Sequence, residues 1–245
     1  MVKCKFLAKC PAEFREKTDM EGASAWMACH FSLADRGITN LPEELPSGSL
    51  LILDDQIPIH GHDPARIRDQ LTEAVEAFSC PAVLLDLERE KTPEIVTLVE
   101  ALKDALPCPL VVPASYGDGL SGPVFLPPVP PDTNLSDYLA PWQGRPVYLE
   151  AALGGDTITL TEQGVSRAPL SCWDTPAEGF PDTALHCHYS ILTRENAVQF
   201  SLWRTPEDLQ SLLDAAEAAG VVTVGLYQEL RSAERPQGTK AAKGL

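Results

Sequence analysis

Short apolar runs that end in polar residues alternate along this chain with stretches whose apolar positions recur every three or four residues. The first pattern predicts strands and the second amphipathic helices. Residues 25–31 and 50–55 read as strands, the second closing on Asp54 and Asp55. Asp63 and Pro64 then supply an N-cap and a first-turn proline for a helix with Ile67, Leu71, Val75 and Phe78 on one side. Residues 82–88, AVLLDLE, form another apolar run, ending in two acids. Thr92, Pro93 and Glu94 open a second helix carrying Ile95, Leu98, Val99 and Leu102, and residues 109–113 are the strand after it. Repeated strand-helix units favour a parallel sheet.

The alternation breaks between Tyr116 and Trp142. Residues 124–126 could form a short strand, but Pro127, Pro128, Pro130 and Pro131 follow, and no helical stripe replaces them. A helix is predicted to be lost or very short around 117–142. Regularity resumes with residues 146–152, which carry Tyr148 and Glu150. A hairpin from Asp156, turning at Glu162-Gln163-Gly164, and strands around 185–192 and 197–203 follow. These predict a β-hairpin insertion near 156–192, outside the main alternation. Thr205-Pro206-Glu207-Asp208 starts a helix through Leu209, Leu212, Leu213 and Ala216, Gly220 stops it, and residues 221–227 form the last strand. The expectation is one α/β domain over 1–230, a (β/α)8 TIM-type barrel irregular around 117–142, with a disordered tail at 231–245.

Composition agrees with one folded core. The chain has 245 residues, 44% of them hydrophobic, enough for a barrel-sized domain. Its 35 acidic and 19 basic residues give a formal net charge of -16, which repels phosphate backbones and anionic membranes, so nucleic acid and membrane partners are not expected. No apolar run reaches the roughly 18 residues of a membrane span, and residues 1–6 lack the apolar segment of a secretory leader, which predicts a soluble, cytoplasmic protein. The seven cysteines are scattered and contain no CxxC pair, so zinc and thioredoxin signatures are absent. Cys80 and Cys108 read as small buried hydrophobes, as in a reducing compartment.

Chemistry concentrates on residues 82–88. Alternation along a strand puts Asp86 and Glu88 on one face, about 7 Å apart, at the end where an α/β barrel keeps its active site. Asp54 and Asp55 close the preceding strand. His60, His62 and Asp63 follow in its loop and could hold a divalent ion, although Asp63 is explained as a helix N-cap without one. No metal or cofactor is predicted. His186 and His188 flank Cys187 and read as a solvated or core-edge pair, and Trp142 and Trp173 could stack on sugars or plug a loop.

The chain resembles family 18 glycoside hydrolases of the chitinase and spore-lysin type. Residues 197–203, the helix from Pro206 to Gly220 and the strand after it are similar to the family's closing section, and Tyr227 falls where its sugar-platform tryptophan stands. Asp86 and Glu88 are similar to the end of the motif D-x-x-D-x-D-x-E, with Pro81 and Leu84 at its two earlier acidic positions. The resemblance implies substrate-assisted hydrolysis. Glu88 would protonate the leaving oxygen, Asp86 would hold the 2-acetamido N–H, and the acetamido oxygen would attack the anomeric carbon. It further implies a barrel, an N-acetylglucosamine-containing glycan such as peptidoglycan or chitin, and a spore-associated setting as one location. Leu84 cannot relay a proton, and the family's tyrosine after the sixth strand is replaced here by residues 125–130, with Tyr116 and Tyr148 the nearest substitutes. The sugar-contacting set is therefore Tyr227, Tyr116, Tyr148, Asp54, Asp55 and Glu150, and weak or lost hydrolysis is expected. The alternatives are a non-catalytic glycan-binding or scaffold protein and a metal-dependent hydrolase using Asp54, Asp55, His60 and His62.

Overall fold

The structure, a computed structural model, describes residues 2–15, 23–32, 34–57, 61–117, 121–171, 174–176, 178–226 and 229–230. Eight parallel strands close on themselves: β1 (Phe6–Lys9), β2 (Ala23–Phe31), β4 (Leu50–Asp54), β5 (Val83–Asp86), β6 (Leu110–Pro113), β7 (Val124–Leu126), β8 (Val147–Ala151) and β14 (Val222–Leu226). β1 completes the circuit by pairing with both β2 and β14. A two-residue strand, β3 (Ile38–Thr39), runs antiparallel beside β2. This is the predicted (β/α)8 barrel. The strands β4, β5 and β6 are almost continuously apolar because they are covered on both faces, by the lumen inside and by helices outside.

The two faces separate cleanly by parity. Phe6, Ala8, Ala25, Leu50, Ile52, Leu84, Val111 and Val224 fill the lumen, with Tyr148 and Phe125 against them. The alternate residues form two outer layers. One packs β2, β4, β5 and β6 under helices α2 (Pro64–Phe78) and α3 (Pro93–Lys103). The other packs β7 and β8 under α5 (Pro206–Ala218) and the partly buried Leu135, Tyr138 and Trp142. All three long helices begin as predicted, with a capping residue followed by proline. The Asp63 side chain accepts from the N–H of Ala65, Thr92 from that of Ile95, and Thr205 forms a capping box with Asp208.

Among the described residues the ring of helices is incomplete. Between β1 and β2 the described helix is short, α1 (Pro11–Arg15), and no described helix separates β2 from β4. The described part of the β6–β7 connection holds one 3-10 turn, and the proline-rich loop after β7 leads only to the five-residue α4 (Leu135–Leu139), as the missing helical stripe requires. The expected hairpin is part of something larger. β9 (Gly155–Thr161), β10 (Gly164–Leu170), β11 (Phe180–Asp182), β12 (Cys187–Arg194) and β13 (Ala197–Trp203) form one antiparallel sheet in the order β10-β9-β13-β12-β11, inserted between β8 and α5. The insertion therefore runs to Trp203, eleven residues beyond the predicted end, because 197–203 pairs with β9 along its whole length. Gly155 has no side chain where the Leu202 carbonyl crosses, which lets the sheet begin directly at the barrel rim.

Candidate active site

The inward face of each strand continues upward to the barrel mouth. On β4 the lumen series is Leu50, Ile52 and then Asp54; on β5 it is Ala82, Leu84 and then Asp86; on β8 it is Tyr148 and then Glu150. The same alternation that fills the core thus delivers three carboxyls to one opening at the C-terminal ends of the strands. Asp54 and Asp86 are in register on neighbouring strands.

A fourth group arrives through an irregularity. The β2–β4 register shifts between Trp26 and Cys29, so that Ala28 and Cys29 both enter the outer layer and His30 pairs with Asp54. His30 Nδ1 lies 2.7 and 2.8 Å from the two carboxylate oxygens of Asp54, so Nδ1–H donates to Asp54 and fixes the ring at the mouth. Strict alternation would have turned His30 away from the lumen, which is why the sequence pattern does not single it out.

Asp55, by contrast, serves the framework. Its two oxygens accept the backbone N–H groups of Glu88 (3.0 Å) and Arg89 (2.9 Å), while the Arg89 guanidinium donates to the carbonyls of Asp55 and Gln56, both at 2.6 Å. This two-way latch holds the segment after β5 against the end of β4. It also uses Arg89 away from the acids, and Lys91 is placed on the Ser115 carbonyl and over the Tyr116 ring.

Burial and mutual repulsion set the protonation of the mouth. Asp86 is pushed up to about 6, first by burial and then by the charges of Glu88, Asp54 and Asp55. Glu150 rises to about 7, first by burial and then by Asp86, Glu229 and Glu88. The charge of Asp86 thus helps retain the proton on Glu150, and the two titrate as a coupled pair. Of the two acids that end this run, Asp86 is half-buried and Glu88 is exposed at the rim, so burial acts on Asp86 and Glu150. Near neutrality the mouth therefore keeps protons that solvated carboxyls would already have released.

The other anticipated residues lie elsewhere. Tyr148 is inside the barrel one layer beneath Glu150, and burial raises its hydroxyl. Tyr116 belongs to the outer layer, with a hydroxyl that has no hydrogen-bond partner among the described residues. The tyrosine that reaches the end of β7 is Tyr138, whose hydroxyl donates to the Pro127 carbonyl at 2.8 Å and whose pKa is pushed up to about 12, first by burial and then by the charge of Glu150. Trp142 fills the outer layer under the Arg145 guanidinium, 5.5 Å from the ring centroid. His62 meets Phe31 edge-on at 5.2 Å. His186 and His188 both turn to α5, at 3.0 Å from Ser211 Oγ and 2.7 Å from Asp208 Oδ2. Tyr227, His60 and Trp173 lie outside the described residues. Cys80 is buried and Cys108 half-buried against the outer layer, both with thiols raised by burial.

Strand order and site together define a (β/α)8-barrel protein with a carboxyl-lined mouth. No protein-family profile matches the chain, and no curated protein matches it. Among solved structures it is similar to the spore cortex-lytic enzyme SleL of Bacillus cereus, at 10% identity and a TM-score of 0.48 over 93% of this chain and 72% of that one. SleL of Bacillus megaterium gives 7%, 0.44, 84% and 63%, and ydhD of Bacillus subtilis gives 9%, 0.47, 82% and 88%. Likenesses of this size bear on neither activity nor substrate. No helix among the described residues is long and apolar enough to cross a membrane.

Proposed function

We propose that this chain is a glycoside hydrolase-like barrel of the family 18 type that recognises N-acetylglucosamine-containing glycans, such as peptidoglycan or chitin fragments, and hydrolyses them slowly. The observation that carries the reading is the carboxyl cluster at the mouth of the barrel, where burial raises Asp86 to about 6 and Glu150 to about 7. Glycosidic cleavage needs a protonated acid at the leaving oxygen and a negative group near the developing positive charge. In this reading Glu88, at the rim, protonates the leaving oxygen and Asp86 receives the acetamido N–H. Slow turnover follows from two features. Glu88 is exposed, where water competes for its proton, and the residue beneath Asp86 is the fully buried Leu84, which offers no proton site.

Those two features also support a second reading, a glycan-binding barrel without catalysis. The test is release of a fluorescent leaving group from N-acetylglucosamine di- and trisaccharide conjugates at high enzyme concentration. The hydrolase reading expects turnover that falls at least ~100-fold in Glu88→Gln and in Asp86→Asn, the usual scale for losing a positioned acid. Equal background rates in all three proteins would remove the hydrolase and leave the binding protein.

A further inference from the structure

The inserted sheet carries an apolar face that the barrel does not use. Residues directly opposite one another in an antiparallel sheet point the same way. The pairings set Val165, Leu160 and Val198 in one row and Ile158, Phe200 and Ile191 in the next. Leu202, Tyr189 and Phe180 continue the same face toward the barrel, with the Phe180 and Tyr189 rings 5.8 Å apart. The alternate positions, among them Ser166, Thr159, Gln199 and Leu192, form a mainly polar opposite face. None of the apolar rows contributes to the lumen or to either outer layer. Val165 is 70% exposed, Phe180 66% and Ile191 54%.

Size and charge indicate what covers this face. Five strands at about 4.8 Å spacing and some seven residues in length span roughly 400 Å² in projection, and more as accessible surface. That is in the range of the largest apolar patches on single chains, about 300–600 Å², and about half of the roughly 800 Å² that each partner contributes to a standard interface, the size of a weak, concentration-dependent contact. The patch carries few charges. Among the described residues they are Asp156, Asp182 and one cation, Arg167, which is held by Asp156 at 2.6 Å and by Asp132 at 3.0 Å. On a chain of net charge -16 it is a place where a charged partner finds little to grip, so the complement is another mainly apolar sheet face. A second copy of the chain supplies one of the right dimensions, and a two-fold axis lets two such faces stack as the halves of a sandwich.

We propose that two copies of this protein associate through this face, sheet against sheet. The apolar contact holds the pair and the net charge opposes it, so the dimer strengthens with salt. Sedimentation velocity of the full chain, over a concentration series at low and high salt, tests this. The expected result is a concentration-dependent dimer, favoured by salt, whose dissociation constant rises at least tenfold in Val165→Lys and in Ile191→Lys. Leu192→Lys, 47% exposed on the opposite face, should leave it unchanged. Val165 and Ile191 are exposed in the single chain, so circular dichroism should show both variants folded, and either suffices if the other is not. A monomer at every concentration and salt overturns the proposal, as does a dimer that survives both substitutions or is weakened as much by Leu192→Lys.

Discussion

Two residues along β5 separate a half-buried carboxyl from an exposed one, and the chemistry of the mouth follows from that difference. Asp86 ends the hydrogen-bonded strand, while Glu88 lies beyond it on a segment latched to Asp55. Glu150 reaches the same opening from β8, half-buried among other carboxylates. Both Asp86 and Glu150 have folded pKa values above their ordinary ones, so the folded state binds protons that the unfolded chain has released. The sign is therefore fixed: these groups favour folding fully below about pH 4 and lose that contribution as pH rises through about 6 and about 7. For Glu150 the effect is on the order of 3 kcal/mol. Urea midpoints should be lower at pH 8 than at pH 5.5, and Glu150→Gln should recover most of its share of the loss at pH 8. A midpoint that does not move with pH, or that rises with it, contradicts the burial described for these two acids.

Among the elements, α5 does the most to join the insertion to the barrel. The carboxylate of Asp208 accepts from the Thr205 backbone N–H and hydroxyl, both at 2.9 Å, and from His188 of β12 at 2.7 Å. Just before the helix, the buried Arg204 guanidinium donates to the carbonyls of Val129, Pro130 and His186, fastening the end of the inserted sheet to the proline-rich loop above β7. Thr205→Ala should lower stability by about 1 kcal/mol, the usual loss for an N-cap, measured by chemical denaturation. No change would mean that Asp208 alone satisfies the helix end. The start of this helix could be read directly from Thr-Pro-Glu-Asp, as could those of α2 and α3, because caps are local chemistry. β1 could not: four residues are too few for a periodicity to register, and only its pairings on both sides identify it.

At the scale of the whole molecule, closure depends on that same short strand. Phe6 and Ala8 reach into the lumen from β1 while Leu7 packs outward, so one element seals the sheet and plugs its interior. Phe6→Ala should destabilise the protein by roughly 3–5 kcal/mol, since a parallel barrel cannot collapse around the cavity without breaking ladder pairs. A loss below about 1 kcal/mol in a denaturant titration would show that the lumen repacks. The sequence by itself determined the strand-helix alternation of a parallel sheet, most strands, the long helices α2, α3 and α5, the thin region around 117–142 and the positions of Asp54, Asp86 and Glu150 on or at the ends of strands, because period-two and helical patterns and capping residues are local properties of the chain. Tertiary structure alone decided the rest. Bringing His30 to Asp54 required a register shift between strands, assigning Asp55 to the framework required a partner thirty-three residues away, and choosing which carboxyls are buried required the closed barrel around them. The apolar face of the insertion likewise exists only once β9 lies between β10 and β13, since rows on a sheet are made by pairing and not by sequence order.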